Sequence, residues 1–266
     1  MRQTWSGACQ VNNRGMSRRK ALTIRVFAAL TLLVGWYAAA VSTGSLFLAT
    51  PQDVIGRLGQ SVASGEFLDY LGPTAYILAI GAGLGVAVGV PFGLLIGRVR
   101  WLQSATEAPI NIFYTTPLVA LIPFMLVIIG FNNQSKILIV FLFTVLPVII
   151  NTAVGVRTVD RDLLELTTSF CSTEAPVWRD VLIPASIPAV MTGLRIGLIH
   201  ALVGAILADF YAGASGFGYL IILYSNRFDV AGALGPVLVL AVTGTAIAAV
   251  LKAAQRRLSP WQGAQI

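Results

Sequence analysis

The chain has 266 residues, of which 56% are hydrophobic and only 11% are Asp, Glu, Lys or Arg, and its mean hydropathy is +0.81. That little charge counts against a soluble domain of this length, whose surface must be solvated, and points to lipid as the surrounding medium. The formal charge of +7 does not indicate nucleic acid, because the basic residues sit in short loops beside apolar runs and form no stripe or reading helix.

Arg14, Arg18, Arg19 and Lys20 precede an apolar run over residues 22–41. The run is longer than the core of a signal peptide, and no small-residue cleavage site follows Ser42, so it reads as an uncleaved first span. Residues 42–73 follow as an excursion. Pro51, Gly56, Gly59 and an amphipathic pattern over 53–69 predict a short interfacial helix there. The second span covers 74–96 and stops at Arg98 and Arg100. Its Gly81, Gly85, Gly89 and Gly93 recur every four residues, which places small residues in a stripe on one helix face, suited to close packing.

The third span, 107–130, is interrupted by Pro109, Pro117 and Pro123. In lipid such breaks are tolerated where other helices or a cavity cover the freed backbone. The segment therefore reads as a broken helix beside a pathway, or as a simple kink. Asn111, Tyr114, Thr115 and Thr116 are its candidate lining or gate residues, with Asn132 and Asn133 at the other end. Further spans are expected over 136–156, 187–209 and 231–251, the last stopped by Lys252, Arg256 and Arg257.

Six crossings return the chain to its starting side. With the N-terminus inside, all of the eighteen Lys and Arg except Arg57, Lys136 and Arg227 lie on or beside cytoplasmic stretches, as the positive-inside rule requires. The expected organisation is a cytoplasmic tail over 1–21, a transmembrane domain over 22–252 and a cytoplasmic tail over 253–266. Within that domain, 42–73 is external and 157–186 cytoplasmic.

In the fifth span, His200 and Asp209 are ionisable groups at membrane depth, where each could face a pathway or bond within the bundle. For His200 the bonded, neutral role is the favoured one. Arg195 is expected to snorkel or to pair with an acid. No metal site is expected: the single histidine lacks partners, and Cys9 and Cys171 are the only cysteines. There is no GxxxxGK(S/T) phosphate loop, so the chain is not expected to hydrolyse ATP or to be an enzyme.

Between the fourth and fifth spans, Asp160 can cap a helix starting at Arg161, with Asp162 in its first turn. Leu163, Leu164, Leu166 and Phe170 give that helix an apolar side. After Ser172 and Thr173 a second short helix carries Val177, Trp178, Val181 and Leu182, and Pro184 and Pro188 are expected to end it. Two short amphipathic helices can form a docking surface or rest on the inner leaflet.

This segment resembles the cytoplasmic signature of the permease subunits of ABC importers: Glu-Ala-Ala, three residues, Gly, nine residues, Ile, one residue, Leu-Pro. Glu165 matches the Glu, Leu166 and Thr167 take the Ala positions, Cys171 the Gly, Val181 the Ile, and Ile183 with Pro184 the Leu-Pro. Further stretches resemble the subgroup importing nitrate, sulfonates, taurine and related compounds. These are Pro117 and Leu118 through Pro123 with Gly130, NTAVGVR at 151–157, TGLR at 192–195, GASGFGYLI at 213–221, and Pro260 with Trp261. The resemblance covers roughly residues 30–262.

The resemblance implies an all-α, polytopic, six-span bundle of MetI-like fold in a bacterial inner membrane, with both termini cytoplasmic. It implies a second permease subunit, here a second copy of the chain, two cytoplasmic ATPase subunits holding ATP and Mg, and an external solute-binding protein. No cofactor is expected on this chain. Residues 161–183 would meet the ATPase, with Asp162, Glu165, Leu166, Phe170, Cys171, Ser172, Trp178, Val181 and Pro184 as the candidate coupling residues. The solute would be a small organic or oxyanionic one. A secondary transporter would need midplane carboxylates and an inverted repeat, which are not found, and a non-transporting scaffold would not need the broken span. Cysteine tolerates the left-handed conformation of the usual glycine only at a cost. The expectation is therefore a turn of non-glycine geometry, or a partner changed to match, with Cys171 as a small buried residue.

Overall fold

A peptide group in lipid must find its hydrogen bond within its own segment, which favours helix wherever the chain is apolar for long enough. A computed structural model describes residues 18–44, 47–213 and 215–259. The expectations for residues 1–17, including Cys9, and for Pro260 and Trp261 lie outside these. The described residues contain helices and no strand.

In chain order the helices are α1 (Arg18–Thr43), α2 (Pro51–Ala63), α3 (Glu66–Arg98), α4 (Arg100–Thr115), α5 (Leu118–Ile129) and α6 (Asn133–Arg157). Then come α7 (Arg161–Ser169), α8 (Glu174–Pro176), α9 (Ile183–Ala212), α10 (Phe217–Asn226) and α11 (Val230–Leu258). Five helical runs are long and apolar enough to cross a bilayer: α1, α3, α6, the run from α8 through α9, and α11. The pair α4 and α5, bent by 94°, brings the number to six when the two are taken together as one broken span. Pro117, preceding α5, cannot donate a backbone hydrogen bond, and Thr116 before it is extended, as a residue before proline prefers.

The centre of the bundle is α6, packed between α3 and α9. On the α3 side the glycine stripe lies directly on α6. A Cβ added at Gly81 would stand 2.6 Å from Val140 Cβ, and one at Gly85 2.6 Å from Thr144 Cβ. Gly89, Gly93 and Gly97 meet Val148, Thr152 and Val156 in the same four-residue step. On the other side, Gly193, Gly197 and Gly204 of α9 approach Asn151, Val148 and Phe143. Small residues let the backbones come this close, so that dispersion contacts accumulate where lipid supplies no hydrophobic drive between helices.

The excursion before α3 forms a capped helix. Thr50 Oγ1 accepts from the Asp53 N–H, and the Asp53 carboxylate accepts from the Thr50 N–H, satisfying two groups that the first turn would leave open. This helix, α2, lies against α11. Helix α1 is almost entirely exposed and is held through Trp36, whose Nε1–H donates to the Ala49 carbonyl at 3.1 Å.

Pro184 and Pro188 do not end the second arm of the hairpin, contrary to the sequence expectation. The chain passes from α8 through a π turn over Val177–Leu182 into α9 without a break. The Ile183 N–H reaches back to the Trp178 carbonyl. The wider turn lets the ring of Pro184 and its missing N–H be accommodated, where a regular helix would be strained.

Candidate functional site

The hairpin begins at Asp160, which accepts from the Asp162 N–H at 3.0 Å and opens α7 as expected. It turns at Cys171. The Cys171 N–H bonds the Thr168 carbonyl at 2.9 Å, and the Ser172 N–H bonds the Thr167 carbonyl at 3.0 Å. This is the bond pair of a Schellman motif, with Cys171 in the left-handed position at φ 50°. The turn thus keeps the glycine geometry and places a cysteine in it. Cys171 is also exposed, not buried, because it sits at the hairpin tip where no other helix covers it.

The two faces of α7 differ. Leu163, Leu166 and Phe170 are 45%, 53% and 80% exposed and share one face at helical spacing, beside exposed Asp162, Glu165 and Ser172. Leu164 turns inward. With Trp178 and Val181 it packs against Val156, Val159, Val177 and Leu182. Of the nine candidate coupling residues, six therefore form an outward surface, while Trp178, Val181 and half-buried Pro184 anchor it. Arg98, at the end of α3, pairs with Glu174 at 2.8 Å and ties the second arm to the bundle.

At the far end of the bundle lies a charge cluster that the sequence reading missed. The sequence reading puts Lys136 at the outer end of the fourth span and gives it no partner. Instead its Nζ donates to Asp209 Oδ1 at 2.8 Å and to the Ser215 carbonyl at 3.1 Å. The two side chains are 4% and 0% exposed. Thr74 Oγ1 donates to Asp209 Oδ2 at 2.7 Å and accepts from the Phe217 N–H at 2.7 Å. Helices α3, α6 and α9 and the loop before α10 are thus joined at one carboxylate. Gly216, at φ 95°, has no space for a Cβ, which would overlap that carboxylate. One signal was available: a lysine in the first turn of a helix opposes the helix dipole and asks for an acid. A second network lies beside it, where Arg57 of α2 pairs with Asp229 at 2.8 Å and sits 5.0 Å over the Tyr224 ring. The Asp229 hydrogen bond raises the Arg57 guanidinium above its ordinary pKa.

The candidate pathway residues do not converge. Asp209 is committed to its buried pair. His200, nine residues earlier on α9, falls about two and a half turns away on the opposite face. It is exposed, with no hydrogen bond to this chain among the described residues. The inward face at that level is Gly197, Ala201 and Gly204, pressed too closely on α6 to admit an imidazole. Arg195 is likewise exposed. On α4, the Thr115 hydroxyl donates to the Asn111 carbonyl at 2.8 Å and the Thr116 hydroxyl to the Ile112 carbonyl at 2.7 Å, so both are satisfied by their own helix. Tyr114 is exposed. Asn111 lines a cleft of about 220 Å³ between α4 and the last turns of α6. Asn132, at the end of the broken pair, caps α6 by accepting from the Ser135 N–H.

Residues 89–263 match the family of the binding-protein-dependent transport system inner membrane component. The chain belongs to this family of ABC importer permeases. It is 31% identical to a protein of Brucella abortus (strain 2308) named as a probable ABC transporter permease, over 86% of this chain and 91% of that protein. It is 28% identical to the taurine transport system permease protein TauC of Escherichia coli (strain K12), over 93% of this chain and 92% of that protein. Among solved structures, an inward-facing conformation of the MetNI methionine ABC transporter shares the fold at a TM-score of 0.64 and 19% identity. That match covers 72% of this chain and 95% of that one. The hairpin of the permease, its buried Lys136–Asp209 pair and the α4–α5 bend all fall inside the matched residues, while α1 and α2 precede them.

Proposed function

We propose that this permease carries a small organic or oxyanionic solute of the sulfonate, taurine, nitrate or heterocyclic-precursor kind inward across a bacterial inner membrane. A separate ATPase, seated on the α7–α8 hairpin and holding ATP and Mg, drives it. The observation that carries this reading is the exposed row Leu163, Leu166 and Phe170 beside Glu165. Covering such side chains stabilises an interface by about 1.5–3 kcal/mol each. The inward-packed Leu164, Trp178 and Val181 supply a rigid backing that passes a push on to α6 and α9.

In this reading the hairpin and both termini are cytoplasmic, and residues 42–73, with α2 and α10, face the external solute-binding protein. A second copy of the chain covers the exposed Phe124, Val127 and Ile128 of α5. Taurine, in the name of the Escherichia coli relative, is a small sulfonate of the size this reading calls for. The chain itself serves as path and lever and carries out no chemistry.

The test is co-purification with the cognate ATPase and ATP-driven uptake into proteoliposomes. Glu165→Ala is expected to weaken association or coupling while the chain still inserts. Uptake without any ATPase, or labelling of residues 161–183 from outside the cell, would overturn the reading.

A further inference from the structure

Beside the hairpin, the 220 Å³ cleft between α4 and the end of α6 carries charges that nothing described so far uses. Glu107 and Arg157 both line it. Among the described residues neither enters an ion pair, so the two opposite charges share one cleft without closing on each other. Neither makes a side-chain hydrogen bond among the described residues. The Asn111 amide, also in the lining, is equally uncommitted, whereas the Thr106 hydroxyl is bound to the Leu102 carbonyl at 2.7 Å. The remaining walls are apolar, chiefly isoleucines of α3, α4 and α6.

We propose that this cleft binds a small zwitterion, its cationic end at Glu107 and its anionic end at Arg157, with the Asn111 amide as a further polar contact. A simple anion would meet Glu107 as a like charge, and a simple cation would meet Arg157. A molecule bearing both charges satisfies both residues at once. The guanidinium presents paired donors suited to a carboxylate, sulfonate or phosphate oxygen pair, and charge-assisted bonds of this kind are the strong ones. The cleft is smaller than the roughly 300–1,000 Å³ typical of sites for drug-sized ligands, so the occupant has only a few carbons. Arg157 is the last residue of α6 and leads into the hairpin, so an occupant sits where the path ends. That placement on the path rests on the importer reading, whereas the site's existence does not. An aminoethyl phosphate lipid headgroup carries the same two charges as a free aminosulfonate or betaine, and the test separates the two sources.

The full-length chain is reconstituted in nanodiscs of phosphatidylglycerol alone and titrated calorimetrically with taurine, β-alanine and glycine betaine. Sulfate and ethylammonium serve as single-charge controls. At least one zwitterion is expected to bind, with each control about tenfold weaker or more. Glu107→Gln and Arg157→Gln are each expected to weaken that binding by about tenfold or more, the loss of one charge-assisted contact. Both side chains are exposed, so neither change removes a packed group, and an unaltered melting profile checks this. If binding is abolished when the discs contain phosphatidylethanolamine, the site stands and the headgroup is its occupant. If it persists, the occupant is the free solute. The proposal is overturned if no zwitterion binds in phosphatidylglycerol, if both variants bind as the parent does, or if sulfate binds equally well. Those results leave ATPase docking on the hairpin untouched. Loss of that docking with zwitterion binding retained would strike the importer reading alone.

Discussion

Lys136 and Asp209 stand 73 residues apart in the chain and meet at 2.8 Å with both charges removed from solvent. A buried pair of this kind is costly to break from one side, because the remaining charge has no partner. Asp209→Ala is expected to destabilise the permease by about 3–5 kcal/mol. The double change Lys136→Met with Asp209→Leu should recover most of that loss. Thermal melts in detergent measure both; a double variant no better than the single would refute the assignment.

The glycine stripe carries its own control. At Gly85 a methyl would stand 2.6 Å from Thr144 Cβ, whereas at Gly83 it meets nothing within 4 Å. Gly85→Ala should cost about 1–3 kcal/mol by forcing α3 from α6, and Gly83→Ala should be neutral or slightly stabilising. Equal effects at the two positions would argue against close packing as the stripe's purpose.

Cys171 holds φ 50° in the hairpin turn. Replacement by glycine should relieve the conformation by about 1 kcal/mol, slowing amide exchange at Ser172. Cys171→Val, whose branched side chain resists that region more strongly, should loosen the turn. Exchange rates in the opposite order would remove the strain argument.

Phe170 is 80% exposed, so Phe170→Ala should leave stability within about 0.5 kcal/mol of the parent. Association with the ATPase should nevertheless fall severalfold. An ATPase that binds the variant as tightly as the parent would place the contact elsewhere on the hairpin.

What could be read from the residues was local. The Asp160 cap, the two arms of the hairpin and the four-residue glycine step each depend on spacing along one helix, and spacing is visible in a sequence. The bend near Pro117 follows from the missing donor. The fate of Lys136 depends on a partner on another helix, so the pattern around residue 136, at the outer end of its span, shows no acid for it to meet. His200 was misjudged for a related reason. Its orientation is set by Gly197, Ala201 and Gly204 pressing α9 onto α6, a contact that no pattern around residue 200 announces. Pro184 misled because a proline ends a helix only when the helix cannot widen to admit it.

The π turn joins α8 to α9 in a single run of 39 residues, a rod about 58 Å long at the usual rise per residue. One extremity holds Glu174, and the carboxylate of Asp209 rides close to the other. A tilt of about five degrees about one extremity would displace the opposite one by about 5 Å, farther than a hydrogen bond can stretch. Under the importer reading, a tilt of this helix pivoting near the hairpin would therefore part Asp209 from Lys136 and open the clasp at the far end.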